Sequence, residues 1–169
     1  MGRNKRPVSV WSNPVKAWTD PARWAQLVTE TGCPFCQIER LEGVYIELVA
    51  TWALLPKEAI LPGYVLLLSK RHVLEPYELE PAERARFWQE VDSTARAIST
   101  LLRPVKMNYE IHGNTVPHLH MHLLPRYRGD PFERSQMDPH SAEPFVRSGR
   151  QLNELRDAIR AAFPDRPGA

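Results

Sequence analysis

The sequence predicts an α+β domain in which an antiparallel sheet of about five strands is covered by a long helix and a C-terminal helix. Short apolar runs typical of strands occupy the middle of the chain, and one long segment between them has the helical period. A chain of 169 residues is long enough to form one domain with a buried core.

The N-terminal part of the chain predicts an arm and a short helix. Residues 1–18 contain prolines and no clear period, and we interpret them as an extended arm. The segment "DPARWAQLVTETG" that follows has Asp20 as an N-cap, Pro21 at the first helical position and Gly32 as a stop, which is typical of a short helix.

Three strands and the long helix come next. The run "VYIELVATWALLP" predicts two strands joined by a tight turn, and "YVLLLS" predicts a buried strand entered through Pro62 and Gly63. The segment from Pro81 to Leu102 predicts the long amphipathic helix. Its apolar residues at helical spacing are Phe87, Val91, Ala95, Ile98 and Leu102.

Two further strands and a last helix complete the chain. The runs "VKMNYEI" and "HLHMHLLP" predict the strands, and "GRQLNELRDAIRAAF" predicts the helix. The apolar residues of this helix lie on one side and are Leu152, Leu155, Ile159 and Phe163.

Composition excludes some classes of function. Hydrophobic residues make up 43% and charged residues 25%, and the net charge of +2 argues against a general nucleic-acid partner. No apolar run approaches the roughly 20 residues of a membrane span. The basic start "MGRNKRPVSVW" is not followed by an apolar segment, so it does not resemble a secretory signal. We expect a cytoplasmic protein without a membrane partner.

Three of the six histidines, His118, His120 and His122, alternate with apolar residues in "HLHMHLLPR". Alternation is the period of a strand, so the three imidazoles should leave one face of the sheet and the intervening apolar side chains the other. A core strand does not need such a row of imidazoles. The alternative is a chance arrangement or a surface strand, and it would require three of the six histidines to fall at strict alternation by coincidence.

Two chemical interpretations of this row remain. Same-face imidazoles about 6.6 Å apart along the backbone can share a catalytic metal, although no obvious carboxylate lies nearby in the sequence. Alternatively, a neutral imidazole is a good nucleophile toward phosphorus near pH 7. The preceding segment "HGNTVP" supplies a glycine, the amide of Asn114 and the hydroxyl of Thr115, which suit a phosphate.

The two cysteines, Cys33 and Cys36, have a C-x-x-C spacing. A redox pair lacks the usual βαβ context here. Two isolated buried cysteines are a second possibility. A structural zinc site is the third, and it requires four nitrogen or sulfur ligands, of which this pair supplies two.

These motifs together resemble the HIT family of nucleotide hydrolases and transferases. "HLHMHLLPR" is similar to the histidine-triad motif, His-φ-His-φ-His-φ-φ, and "CPFC", "LPGYVLLLSKRHV", the long helix and "GNTVPHLHMHLLPR" come in the family's order. The resemblance implies a HIT-like fold. It divides the chain into an arm and short helix at 1–32, a HIT core at 33–130 and a C-terminal extension and helix at 131–169 packed on the same domain.

The resemblance also implies a role for each site residue. His120 is the nucleophile that attacks the α-phosphate and becomes adenylylated, and His122 hydrogen-bonds the phosphate and assists the leaving group. The phosphate-contacting positions are Asn108, Asn114 and Thr115. We interpret His112, His140, Lys57 and Arg126 as ordinary polar or solvated residues.

Zinc-bearing members of the family have a histidine at the position of His72 and at the first histidine of the triad, here His118. The resemblance therefore implies a structural zinc ion held by Cys33, Cys36, His72 and His118.

The implied function is cleavage at the α-phosphate of an adenine nucleotide through a covalent histidine adenylate. The substrate would be a dinucleoside polyphosphate such as diadenosine tetraphosphate, or a nucleoside phosphoramidate, and orthophosphate as acceptor would make the enzyme a phosphorylase. A nucleotide-binding, partner-docking module with little turnover is the alternative. It is favoured by Pro56, which stands where the family usually has Asp or Asn against the ribose. Family members are commonly homodimers, for which Phe87 and Trp88 are apolar candidates.

Overall fold

The computed structural model describes residues 19–137 and 142–168. The expected arm at 1–18 and His140 lie outside the described residues. In the described part of the chain, the helices are α1 (Pro21–Leu27), α2 (Pro81–Leu102) and α3 (Gly149–Ala161). The strands are β1 (Gly43–Glu47), β2 (Thr51–Pro56), β3 (Glu58–Ala59), β4 (Val65–Ser69), β5 (Lys106–Ile111), β6 (His120–Arg126) and β7 (Phe145–Val146).

The main sheet has five antiparallel strands in the order β1-β2-β4-β6-β5, which confirms the α+β prediction. β6 therefore lies between β4 and β5, with His120 opposite Leu68 and His122 opposite Leu66. The short strands β3 and β7 form a separate antiparallel pair that the sequence did not predict.

Helix α2 has the bounds that the sequence predicts, because both of its ends have local signals. Pro81 occupies the first turn, and Glu80 and Glu83 form a reciprocal capping box. Arg103 ends the helix in the left-handed conformation, with φ of 48°. Phe87 is fully buried in the core and is therefore not available as a dimer contact, whereas Trp88 is 41% exposed.

The core fills both faces of the sheet. On one face, Leu119, Met121 and Leu123 pack against α2 and α3, as the alternation in the sequence predicts. On the other face, Leu66 and Leu124 pack in a second cluster of buried residues. Each fully buried Leu contributes roughly 1.5–3 kcal/mol relative to an exposed one, so both faces stabilise the position of β6.

The turn into β4 requires a glycine. Gly63 has φ of +77°, and a Cβ atom there would lie 2.4 Å from Leu102 Cδ1. Any side chain would therefore strain the backbone and collide with the end of α2. The predicted entry through Pro62 and Gly63 is confirmed, and the next residue, Tyr64, is buried.

The segment after β6 is fastened by two buried arginines. Arg126 is only 7% exposed and makes a two-pronged contact with Asp130, 2.9 Å from Nε to Oδ2 and 2.9 Å from Nη2 to Oδ1. The interpretation of Arg126 as a solvated residue is therefore wrong. Arg147 donates to the carbonyl oxygens of Pro56, at 3.2 Å, and Tyr64, at 2.7 Å. Burial lowers the pKa of Arg147 to about 10.

Among the helices of the described residues, none combines the length and the apolar character that crossing a membrane requires.

Candidate active site and metal centre

His120 and His122 on β6, and His118 two residues before it, lie on one side of the sheet, opposite the side covered by α2 and α3. His118 is 1% exposed and His120 is 5% exposed, while His122 is half-buried. The rings of His120 and His122 approach each other edge to face, with centroids 4.8 Å apart. The structure thus brings the predicted row together as two buried imidazoles and one that borders the solvent.

His120 is held by a backbone carbonyl. Its Nδ1 lies 2.6 Å from the carbonyl oxygen of His118, so Nδ1–H donates and the lone pair of the neutral ring belongs to Nε2. Burial lowers the pKa of His120 to about 4, which keeps the ring neutral at pH 7. Phe35, from the segment between the two cysteines, contacts the ring edge to face at 5.0 Å. A neutral imidazole in this orientation is a competent nucleophile.

His122 has two neighbours that the sequence analysis did not identify. Its Nδ1 lies 2.8 Å from the hydroxyl oxygen of Tyr64. The ring of His112 approaches to 5.4 Å between centroids, and His112 Nε2 lies 3.0 Å from Glu110 Oε2. Burial, with His120 and His112 nearby, lowers the pKa of His122 well below its usual range. Glu110 lies opposite His122 in the pairing of β5 with β6. This position follows from the register of the two strands, and the sequence has no local signal for it.

The three expected phosphate contacts lie on β5 and on the loop that follows it. Asn108 is half-buried on β5 and pairs opposite Leu124, so it shares the face of the histidines. Asn114 and Thr115 are exposed in the loop that connects β5 to His118. The amide of Asn114 and the hydroxyl of Thr115 are therefore accessible to solvent, and their role as phosphate contacts stays a prediction.

The four expected metal ligands converge on one point. The donor atoms of Cys33, Cys36, His72 and His118 all lie within 4.8 Å of one another. His118 Nδ1 lies 3.4 Å from Cys33 Sγ, 3.5 Å from Cys36 Sγ and 3.2 Å from His72 Nδ1. Cys36 Sγ lies 3.2 Å from His72 Nδ1. This group of residues could hold a metal ion.

The second nitrogen of each histidine fixes the orientation of its ring. His72 Nε2 donates to the carbonyl oxygen of Val28 at 3.0 Å, and His118 Nε2 donates to that of Ser69 at 2.8 Å. Both Nδ1 lone pairs therefore point inward, as metal-binding imidazoles require. Burial lowers the pKa of His118 to about 4, which keeps its lone pair free of a proton.

The spacing of the donors fits a tetrahedral ion. Zinc bonds of about 2.3 Å to sulfur and about 2.0 Å to nitrogen give donor–donor edges of about 3.3 to 3.8 Å. Four of the six donor pairs lie 3.2 to 3.5 Å apart, close to these edges, and all six lie within 4.8 Å. Burial and the neighbouring Cys33 raise the pKa of Cys36 to about 12, so a bound cation would have to displace its proton.

The loop that carries the cysteines is shaped by the end of α1. Helix α1 ends at Leu27, earlier than the predicted stop at Gly32. A Cβ atom on Gly32 would lie 2.0 Å from the carbonyl oxygen of Gln26, so only glycine permits this close approach. Cys33 N then donates to the carbonyl oxygen of Thr29 at 2.9 Å, which turns the Cys33 thiol into the core.

Known proteins share parts of this sequence. Residues 40–129 match the family model described as the HIT domain. The protein hit of Bacillus subtilis is 33% identical over 86 residues, which are 47% of this chain and 59% of that protein. The asymmetrical bis(5'-nucleosyl)-tetraphosphatase of Schizosaccharomyces pombe is 33% identical over 42% of each chain. A bis(5'-adenosyl)-triphosphatase of Saccharomyces cerevisiae is 31% identical over 52% of this chain and 45% of its own. The chain spans about half the length of these curated relatives.

Solved structures share the fold. A histidine triad protein from Sinorhizobium meliloti superposes with a TM-score of 0.65 at 22% identity, over 75% of this chain and 93% of its own. A Zn-bound histidine triad family protein from Mycobacterium smegmatis superposes with a TM-score of 0.57 at 23% identity, over 80% of this chain and 96% of its own. Since the family match covers more than half of the sequence, the chain belongs to the HIT family.

Proposed function

We propose that this protein cleaves an adenine nucleotide at its α-phosphate and that His120 forms a covalent adenylate during the reaction. The observation that carries the proposal is the orientation of His120, whose Nδ1–H donates to the carbonyl oxygen of His118 at 2.6 Å. This contact leaves the lone pair of a neutral ring on Nε2. Two of the relatives bear the names of dinucleoside polyphosphate hydrolases, which supports a substrate of that class.

The proposed first step is an exchange of bonds at phosphorus. The Nε2 lone pair of His120 attacks the α-phosphorus, and the bond to the leaving atom breaks with its electron pair on that atom. The leaving atom is an oxygen of a dinucleoside polyphosphate or the nitrogen of a phosphoramidate, and the nitrogen takes up a proton from solvent to depart as ammonia. His122 donates a hydrogen bond to the leaving atom. Asn108, Asn114 and Thr115 contact the phosphate and stabilise its charge.

A second exchange releases the adenylate. An oxygen of water or of orthophosphate attacks the phosphorus, and the bonding pair returns to Nε2 of His120. Water gives AMP and makes the protein a hydrolase, and its surplus proton passes to solvent. Orthophosphate gives ADP and makes the protein a phosphorylase. Diadenosine tetraphosphate and adenosine 5'-phosphoramidate are the representative substrates to compare.

The test is intact-mass analysis after mixing the protein with a panel of adenine nucleotides. We expect a covalent adenylate on the wild-type chain and turnover of at least one nucleotide. His120→Asn removes the nucleophile, so it should form no adenylate and retain less than about 1% of the rate, with nucleotide binding nearly unchanged. His112→Asn is a matched control and should still form the adenylate, because it removes a neighbouring imidazole that takes no part in the proposed bond exchange. Turnover by the His120→Asn variant at more than a few per cent would contradict the proposal.

We propose that Cys33, Cys36, His72 and His118 hold a structural zinc ion. The donor distances and the inward Nδ1 lone pairs support it, as does the Zn-bound relative from Mycobacterium smegmatis. A bound ion would cross-link the cysteine loop to the segments that follow β4 and precede β6. His118 thus acts in metal binding, which separates it from the phosphate chemistry of His120.

We further propose that the core at 33–130 and the extension at 131–169 form one domain and that the chain assembles as a homodimer. The pairing of β7 with β3 and the packing of α3 on α2 support the single domain. For the dimer, β5 lies at an edge of the sheet, and Trp88 and Tyr109 are 41% and 46% exposed. Light scattering should give twice the chain mass, and Trp88→Lys should shift the protein toward the chain mass. A monomer at all micromolar concentrations would contradict the dimer.

A further inference from the structure

Tyr64 is a buried tyrosine whose hydroxyl contacts the triad. It is 1% exposed, and its hydroxyl oxygen lies 2.8 Å from His122 Nδ1. The two rings are stacked, with centroids 6.0 Å apart and an angle of 25° between their planes. The backbone of Tyr64 is also held, because Arg147 Nη2 donates to its carbonyl oxygen at 2.7 Å. The hydroxyl therefore meets His122 from a fixed position.

The chemistry of the two groups favours one direction for this hydrogen bond. A phenol is a good donor and a weak acceptor, since its oxygen lone pair is delocalised into the ring, whereas a neutral imidazole offers a localised nitrogen lone pair. Burial raises the pKa of Tyr64 well above its ordinary value, so the hydroxyl keeps its proton. These properties favour a hydrogen bond that runs from the Tyr64 hydroxyl to Nδ1 of His122.

We propose that Tyr64 is a positioning residue that fixes His122 in the tautomer with its proton on Nε2. This inference rests on the proposed function for its consequence in the reaction. His120 donates through Nδ1 to the His118 carbonyl and His122 accepts through Nδ1 from Tyr64. The two neighbouring imidazoles are thereby held in opposite tautomers. One presents a lone pair at Nε2 for attack, and the other presents an N–H at Nε2 for the leaving oxygen.

The N–H of His122 suits a leaving group that departs as a phosphate anion. As the bond from the α-phosphorus to the leaving oxygen breaks, the electron pair stays on that oxygen and the charge spreads over the phosphate chain. A hydrogen bond from Nε2–H stabilises this charge without transfer of a proton. With the other tautomer, a bare lone pair would face the departing anion and repel it.

The experiment combines kinetics with a direct measurement of the tautomer. Tyr64→Phe removes the hydroxyl and keeps the ring, and Tyr127→Phe is the matched control, because its hydroxyl donates to the carbonyl oxygen of Pro62 at 3.1 Å instead. For hydrolysis of diadenosine tetraphosphate, we expect Tyr64→Phe to lower kcat roughly 10- to 100-fold with KM changed less than about twofold. The Tyr127→Phe variant should keep the wild-type kcat within about twofold.

Nitrogen-15 NMR of the histidine rings near pH 7.5 reports the tautomer independently of turnover, with His122 assigned by its loss in His122→Asn. We expect Nε2–H in the wild-type protein and a mixture of both tautomers in Tyr64→Phe. A wild-type ring protonated on Nδ1 overturns the inference, and so does a Tyr64→Phe variant with wild-type kcat. If the wild-type protein turns over no nucleotide, the proposed function fails, and the NMR result alone then decides the tautomer. Because the decisive spectrum is that of the wild-type protein, the test does not depend on the variant folding.

Discussion

His118 and His120 point to the same side of one chain segment, yet each presents a different ring nitrogen to its surroundings. His118 uses Nε2 to donate to Ser69 and turns Nδ1 toward the cysteines, 3.4 Å from Cys33 Sγ. His120 uses Nδ1 to donate to the His118 carbonyl and leaves Nε2 for a ligand. In the proposed function, the backbone carbonyl oxygen that each ring contacts thus determines which of its nitrogens is free for the metal or the substrate.

This difference predicts opposite effects for the same substitution at the two positions. His118→Asn should lose most of the bound metal and lower the melting temperature by on the order of 10 °C, since the free energy of metal binding contributes to folding. His120→Asn should keep its metal and melt within about 3 °C of the wild type while losing turnover. Elemental analysis, melting curves and rates on both variants check this. Loss of metal from His120→Asn, or full metal retention by His118→Asn, would contradict the assignment.

At this scale, the sequence predicts the members of the site better than their contacts. Alternation alone places the three imidazoles on one face, because the period of a strand is local. The contact between Tyr64 and His122 depends on the pairing of β4 with β6, and that of His112 with His122 depends on the pairing of β5 with β6. Tyr64 and His122 are 58 positions apart, and the contact of His112 depends on the register of two neighbouring strands, so a single sequence has no local signal for either.

Among the elements, the loop after β6 is held in a fixed shape by hydrogen bonds to the side chain of Asp130. Asp130 accepts from the side chain of Arg126 and from the backbone N–H groups of Tyr127, at 2.9 Å, and Phe132, at 2.8 Å. The hydrogen bond from Arg126 is the main cause that lowers the pKa of Asp130 from 3.8 to about 2. The loop thereby carries Phe132 into the cluster of buried residues on the histidine face.

The lowered pKa of Asp130 predicts a dependence of stability on pH. Between about pH 4 and pH 2 the unfolded chain binds a proton at this carboxyl that the folded chain does not. The stabilisation is therefore complete above about pH 4 and is lost as the pH falls through 2. Asp130→Asn should lower the melting temperature by a few degrees at pH 7, roughly 1 kcal/mol, and by progressively less below pH 4.

Melting curves of the wild type and the variant between pH 7 and pH 2 measure this difference, and other carboxyls cancel because both chains contain them. Asp157→Asn is the control, since Asp157 is a solvent-exposed carboxylate beside Arg156 and should contribute little. A difference for Asp130→Asn that stays constant down to pH 2 would show that the carboxylate charge is not what stabilises the loop.

The elements differ in how far the sequence predicts them. The bounds of α2 follow from Pro81 and the Glu80–Glu83 capping box, which are neighbours in the chain. The strands β3 and β7 have two residues each and no pattern of their own. They pair because the backbone N–H of Arg147 donates to the carbonyl oxygen of Lys57 at 2.9 Å and its side chain enters the core. Such a pairing follows from tertiary packing and has no signal in either segment.

Across the whole molecule, the two faces of the sheet have different coverings. One face carries α2 and α3 over a continuous apolar core. The other carries the histidines, with Phe35 from the cysteine loop and Phe132 from the extension packed in its cluster of buried residues. The fold class follows from the strand and helix patterns. This second covering comes from irregular segments, which have no periodic pattern from which the sequence could predict it.

The four candidate metal ligands come from segments that are far apart in the chain. Cys33 and His118 are separated by 85 positions, and their donor atoms lie 3.4 Å apart. Closing so long a loop restricts the unfolded chain, and a bound ion also contributes its own binding free energy to folding. The ion would hold the cysteine loop, the end of β4 and the start of β6 together as one unit.

Removing the metal should therefore act on stability before it acts on catalysis. Purified protein should contain about one zinc ion per chain, and a strong chelator should lower the melting temperature by on the order of 10 °C. Cys36→Ser should have a similar effect, because a hydroxyl is a poor replacement for a thiolate ligand. At low temperature, where the stripped protein stays folded, most of the rate should remain, since His120 and His122 are not ligands of the ion. Elemental analysis, melting curves and rates before and after chelation measure these effects. A protein purified without zinc, or an immediate loss of turnover with an unchanged melting curve, would contradict a structural ion, and the second result would assign the metal to catalysis.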